Sequence, residues 1–150
     1  MTGGADAIGD ESAQYDVAVG GGGPAGCAAG VFTARYGLDT VVFDRGKSSI
    51  RRCAYLENYP GFPAGIDVDT YVDLLADHVA EVGCETVGEL VETVDRSQDG
   101  SAFLVHTDED RRVTADRVVA ATRYDGEYLR EICGDEAFVT HDHGGAEHEH

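Results

Sequence analysis

The chain has 150 residues, enough for one ordinary domain that buries about two-thirds of its unfolded surface and too few for two. Acids outnumber bases 29 to 11, the formal net charge is -18, and Lys47 is the single lysine; a surface of that sign repels phosphate backbones and anionic lipid, which argues against a general nucleic-acid or membrane-surface role. Leu, Ile, Val and Phe make up only about a fifth of the residues, near the composition of disordered chains, so a lean core under a lysine-poor acidic surface predicts adaptation to high salt, where the screening length falls to about 3 Å at ~1 M.

Residues 1–14, MTGGADAIGDESAQ, read as a disordered leader; they lack the basic start and apolar stretch of a secretory signal. Nowhere do about eighteen apolar residues run together, so no membrane helix is expected and the cytoplasm is the predicted location. From Tyr15, YDVAV is a short β-branched run ending in glycines, as in a buried parallel strand. PAGCAAGVFTARYG follows with Pro24 suited to a first helical turn and Gly37 to a C-terminal stop. Thr40 to Phe43, TVVF, is a second buried strand, which completes a right-handed β-α-β unit.

Residues 44–66 read as a long loop. Asp67 offers an N-cap, and Val68, Tyr71, Val72, Leu75, Val79 and Val82 recur at helical spacing up to Gly83. Three strand-like pieces follow, Glu89 to Val94, Ala102 to His106 and Val113 to Ala121, separated by turn-forming segments. They predict an antiparallel meander feeding one last buried strand. The expected organisation is therefore an α/β, Rossmann-like domain over residues 15–130 and an acidic, His-rich tail over 131–150.

Gly20 to Gly23, then Pro24, Ala25 and Gly26, stand between the first strand and the helix, where a dinucleotide fingerprint belongs. Such a fingerprint uses one glycine for a tight turn, one for backbone contact with a pyrophosphate and one for close helix packing; the helix N-terminus then faces the phosphates. Two registers fit, Gly21/Gly23/Gly26 and Gly20/Gly22/Ala25, and the first starts the helix at Pro24. Asp44, 21 residues past Gly23, ends the second strand where a carboxylate can accept from ribose hydroxyls. These features alone do not separate FAD from NAD.

YDVAVGGGGPAG, VVFD, LENYPGFPAGI, the helix running to EVG, and RVVAAT occur in the order found in the N-terminal flavin-binding part of thioredoxin reductase-like flavoproteins, which the chain resembles over roughly residues 15 to 130. The most specific piece is ENYPGFP, Glu57 to Pro63. The resemblance implies FAD held by Gly21, Gly23, Pro24, Ala25, Gly26 and Asp44, with Arg45 beside them, Asn58 near the flavin, and the Val91 backbone and the Ala121–Thr122 pair at the adenosine end. It also implies NAD(P)H as electron donor. The chain departs from the family pattern at Gly20, at Arg123 in place of the glycine of A-T-G, and at Lys47 to Ile50, where a flavin-contacting glutamine is missing. The family's C-x-x-C and its closing G-D segment are absent from this sequence.

Cys27, Cys53, Cys84 and Cys133 have no C-x-x-C spacing and read as reduced thiols, Cys53 as a packed and inert one. Arg45, Lys47, Arg51 and Arg52 form a cationic island, read either as an attractor for an anionic cofactor or donor or as a solvated loop. His141, His143, His148 and His150 lie in the polar tail and are not assigned a metal; His78 and His106 read as structural. The function expected is a FAD-dependent oxidoreductase passing electrons through bound flavin, without classical thioredoxin reduction and with no assignable catalytic acid, base or nucleophile. The alternative is a non-catalytic FAD-binding module, or a subunit that needs a partner chain for NAD(P)H. A homo-oligomer or a partner redox protein is the expected company.

Overall fold

The structure, a computed structural model, describes residues 12–122. Its first unit is β1 (Ala13–Gly20), α1 (Pro24–Arg35) and β2 (Thr40–Phe43), with β1 and β2 parallel. β1 starts two residues inside the stretch expected as leader, because Ala13 and Gln14 pair with Val113 and Thr114. Val17, Val19, Val41, Val42 and Phe43 are almost wholly buried, as a parallel strand covered on both faces requires. α1 opens on Pro24 and closes at Gly37, whose φ of 80° lets its N–H turn back to the Ala34 carbonyl at 2.9 Å.

The expected loop over 44–66 is more structured than a loop. It contains a 3-10 turn (Ser49–Arg52) and a two-stranded hairpin of β3 (Tyr55–Leu56) and β4 (Ile66–Asp67). Strands of two residues are too short to show an alternation. The hairpin is held by the Tyr55 hydroxyl, which donates to the Ala64 carbonyl at 2.6 Å. α2 (Val68–Glu81) then begins as expected, with the Thr70 N–H donating to the Asp67 carboxylate at 3.0 Å. β5 (Glu85–Val87) was not expected; it joins β2 in parallel.

β6 (Val91–Arg96), β7 (Phe103–Thr107) and β8 (Arg112–Ala120) form the expected meander. The sheet order is β5-β2-β1-β8-β7-β6. β8 serves twice: residues from Arg112 to Ala115 pair antiparallel with β7, while Val113 to Ala120 pair in parallel with β1. The alternation of the strands divides the core into two. Ala18, Val41, Phe43 and Val87 pack with Val91, Val94, Val105 and Val113 of the meander. Val17, Val19 and Val42 pack on the other face with Cys27 and Val31 of α1 and Val79 of α2. Meander, parallel sheet and helices are thus three layers, each fully buried Val or Phe contributing about 1.5–3 kcal/mol of burial.

Candidate functional site

The parallel register puts Gly20, Phe43, Val87 and Ala120 level across four strands. The next residues, Gly21, Asp44, Gly88 and Ala121, therefore form the carboxyl edge of the sheet, where open α/β sheets bind ligands. Backbone bonds fix this edge: Gly21 N–H donates to Phe43 O at 3.0 Å, Asp44 N–H to Val87 O at 2.8 Å, and Ala121 N–H to Gly20 O at 2.8 Å.

The glycine turn follows the 21/23/26 register. Gly21 has a φ of 108°, a backbone that side chains rarely adopt, and a Cβ there would come 2.6 Å from the Ala121 carbonyl oxygen and 3.2 Å from the Thr122 nitrogen. Gly23 is the N-cap of α1 and has no side chain with which to cap it. A Cβ on Gly23 would come 2.9 Å from the Ser48 hydroxyl. Gly26 lies so close under the turn that a Cβ would overlap the Gly21 carbonyl. In the other register, Gly20 is an ordinary paired residue of β1 and Ala25 is exposed. Gly22 also needs to be glycine, because the Asp44 side chain occupies the space of its Cβ. Four successive glycines, of which the fingerprint uses only Gly21 and Gly23, were the signal for that second constraint.

Asp44 is partly buried against this turn, and its Oδ1 accepts from the Gly46 N–H at 2.8 Å. Pro24 is the first residue of α1, while Arg45 is exposed on the adjoining loop. Asn58 is exposed in the segment between β3 and β4. Tyr59 and Phe62 of that segment pack on Tyr71 of α2 with ring centroids 5.0 and 5.9 Å away, so the ENYPGF motif is anchored beside the helix layer. Val91, whose backbone is the part assigned to the adenosine end, opens β6 three residues past Gly88, and its side chain is buried in the core on the meander side. Gly88 stands at the edge itself, where a Cβ would come 4.0 Å from the Asp44 carbonyl oxygen. Sequence reading missed Gly88 and the contact of Ser48 with Gly23, and had Gly22 only in the second register.

The crossover from β5 to β6 is held from the side. Glu89 accepts from the Arg111 guanidinium at 2.8 to 3.0 Å and from the Thr107 hydroxyl at 2.6 Å. The Leu90 N–H donates to the Asp108 carboxylate at 2.9 Å, and the Asp108 N–H returns to Leu90 O at 3.0 Å. Arg111 and Thr107 hold the Glu89 carboxyl below the usual range.

Cys27 sits beneath the turn, its thiol 3.4 Å from the Gly22 carbonyl. Burial, and then the Asp44 charge, push its pKa up, and burial raises Cys84 to about 11. Both thiols stay protonated near neutrality, which makes them poor nucleophiles. Cys53 is exposed rather than packed, since the 3-10 turn before it leaves the core. Among the described residues no group of His, Cys, Asp and Glu could hold a metal, and the His-rich tail lies outside them.

A turn of bare Cα atoms, a helix N-terminus without a side-chain cap and a carboxylate at the end of the neighbouring strand fit a dinucleotide diphosphate and its ribose. The family model described as pyridine nucleotide-disulphide oxidoreductase matches residues 15–142. The thioredoxin reductase of Listeria monocytogenes is 33% identical over 115 residues, covering 75% of this chain and 34% of that protein. Among solved structures, a thioredoxin reductase from Gloeobacter violaceus superposes with a TM-score of 0.65 at 31% identity, over 73% of this chain and 34% of that one. One from Streptococcus pyogenes gives 0.68 at 26% identity, over 74% and 36%. The chain spans about a third of the length of these relatives. No helix among the described residues is long and apolar enough to cross a membrane.

Proposed function

The chain belongs to the pyridine nucleotide-disulphide oxidoreductase family, and from that premise we propose that it is a FAD-binding oxidoreductase domain that accepts electrons from NAD(P)H. The observation carrying this reading is the seating of Gly26 against Gly21 beside the Asp44 carboxylate. In it, the backbone N–H groups of Gly23, Ala25 and Gly26 hold the diphosphate at the α1 terminus that Pro24 opens, with Gly21 making the turn. Asp44 accepts from the ribose, with Arg45 beside it. Ala121, Thr122 and Gly88 border the adenosine end. Asn58 belongs to the flavin end, and its neighbours Tyr59 and Phe62 keep the segment on α2.

FAD, when bound, supplies hydride acceptance from the nicotinamide and onward electron transfer. The protein's own residues bind and orient it, and the raised pKa values of Cys27 and Cys84 keep these thiols out of the exchange. The four cysteines of this sequence contain no C-x-x-C, so thioredoxin reduction would need a dithiol from outside it. A second reading is a non-catalytic FAD-binding module that relies on a partner chain for NAD(P)H. The acidic, lysine-poor composition supports a cytoplasmic, salt-adapted protein.

Purified protein in about 2 to 3 M KCl, where surface charge is screened, is expected to show a flavin spectrum that NADPH or NADH bleaches. A flavin spectrum without bleaching selects the module, and protein that takes up no FAD sinks both readings.

A further inference from the structure

After β2 the chain folds back over the glycine turn. The Gly46 N–H donates to Asp44 Oδ1 at 2.8 Å, and Gly46 takes a φ of 74°. Two residues on, the Ser48 Oγ stands 2.9 Å from the point that a Cβ of Gly23 would occupy; beyond the chain neighbours of Gly23, only Ser48 atoms come within 4 Å of that point. Ser48 also holds the N-cap position of the 3-10 turn Ser49–Arg52, where a serine ordinarily bonds an N–H group of the turn it opens. Its side chain makes no such bond, although its carbonyl accepts from the Arg51 N–H at 3.1 Å. The main chain is therefore fixed while the half-buried hydroxyl is left over, turned to the start of α1.

That end of α1 is short of donors. Gly23, its N-cap, has no side chain, and Pro24 has no N–H. The first intrahelical bond runs from the Cys27 N–H to the Gly23 carbonyl at 2.9 Å, which leaves the N–H groups of Ala25 and Gly26 without an intrahelical partner. We infer that Ser48 is a diphosphate-binding residue, its hydroxyl donating to a phosphate oxygen beside those amides, a role that rests on the FAD-binding reading above. Phosphate rather than ribose is the partner because the phosphate oxygens only accept and are drawn to the helix N-terminus, whereas the neighbouring Asp44 carboxylate can accept only from hydroxyls. Ser48 belongs to the stretch from Lys47 to Ile50 in which the chain departs from the family pattern, so this donor is the chain's own addition to the turn.

The test is fluorescence titration of the full chain with FAD in about 2 to 3 M KCl, together with phosphorus NMR of the bound cofactor. Ser48→Ala should weaken FAD binding about tenfold, as loss of a hydrogen bond to a charged group does, and should move a diphosphate resonance. Ser48→Thr keeps the hydroxyl and should stay within about threefold of wild type, and Ser49→Ala, one residue along, should bind as wild type does. The denaturant midpoint of FAD-free Ser48→Ala should match wild type, because the hydroxyl makes no bond within the protein; a merely structural serine would shift it. Ser48→Ala that binds FAD as tightly as wild type, or that loses affinity with the phosphorus resonances unmoved, overturns the contact and leaves the FAD reading standing. Wild type that takes up no FAD overturns both.

Discussion

Gly26 packs its bare Cα on the carbonyl of Gly21, five residues earlier, so that a methyl group has nowhere to go. The obstacle is backbone of the turn between β1 and α1, which cannot swing aside as a flexible side chain can. Gly26→Ala is therefore expected to cost about 1–3 kcal/mol of stability through overpacking and to abolish FAD uptake. Gly37→Ala provides the control, since nothing lies within 4 Å of a Cβ there; its positive φ costs stability without touching the turn. Denaturant unfolding and flavin absorbance separate the two, and FAD retention by Gly26→Ala would contradict the assigned role of the contact.

Asp44 has two duties, closing the loop onto the Gly46 N–H and facing Gly22 at the edge. Replacement by Ala loses one exposed hydrogen bond, about 1 kcal/mol, while removal of a ribose acceptor is expected to weaken FAD binding about 10- to 100-fold. Asn keeps the shape and loses the charge, so it should fall between wild type and Ala. The same substitutions remove the Asp44 field at Cys27, and its thiol should titrate lower than in wild type. Fluorescence titration with FAD and thiol alkylation against pH check the two effects.

Segments whose local pattern and tertiary role agree were legible. β1, α1 and β2 are punctuated by glycine and proline, the Asp67 cap starts α2, and the apolar end of β8 announces a strand, though Val118 to Ala120 are only half-buried. β5 was not legible because three residues between Gly83 and Gly88 carry no period. The crossover from β5 to β6 was not legible either: it is set by contacts of Glu89 and Leu90 with Thr107, Asp108 and Arg111, distant in sequence. Register on the edge depends on such pairings, which no local pattern encodes.

Glu89 provides an acid-stability signature. Its folded pKa is lowered from an ordinary carboxylate value by Arg111 and Thr107. The associated stability is present above the unfolded pKa and lost as pH falls through the folded one. Arg111 is half exposed, so solvent screening holds the contribution to about 1 kcal/mol. Glu89→Gln should unfold more readily than wild type at neutral pH and converge with it as pH falls through the lowered folded pKa. Parallel curves over the whole range would show that the carboxylate contributes nothing.

Tyr15 gives the alkaline counterpart. Burial, followed by its hydroxyl's 2.6 Å bond to Glu85, raises its pKa from 10.0 to about 12. A raised acid keeps its proton in the folded state, so its contribution is complete below pH 10 and declines as pH rises to about 12. Tyr15→Phe should lose the hydrogen bond at neutral pH and show a shallower alkaline decline. Tyrosinate absorbance of the wild type should contain one late-titrating ring that this substitution removes; an unchanged titration would place the shift elsewhere.

Salt should stabilise the fold by screening like charges. Asp69, Asp73, Asp77 and Glu81 are like charges one helical turn apart, each neighbouring pair destabilising α2 by about 0.2–0.5 kcal/mol when unscreened. The rest of the -18 surface adds its own repulsion. Raising KCl from about 0.1 to 2 M shortens the screening length from about 10 Å to below 3 Å, so the melting temperature of the monomer should climb over that range. Asp73→Asn with Asp77→Asn relieves the stripe without adding cations, and the salt dependence of melting should flatten in that variant. A melting temperature indifferent to KCl in the wild type would remove the case for salt adaptation.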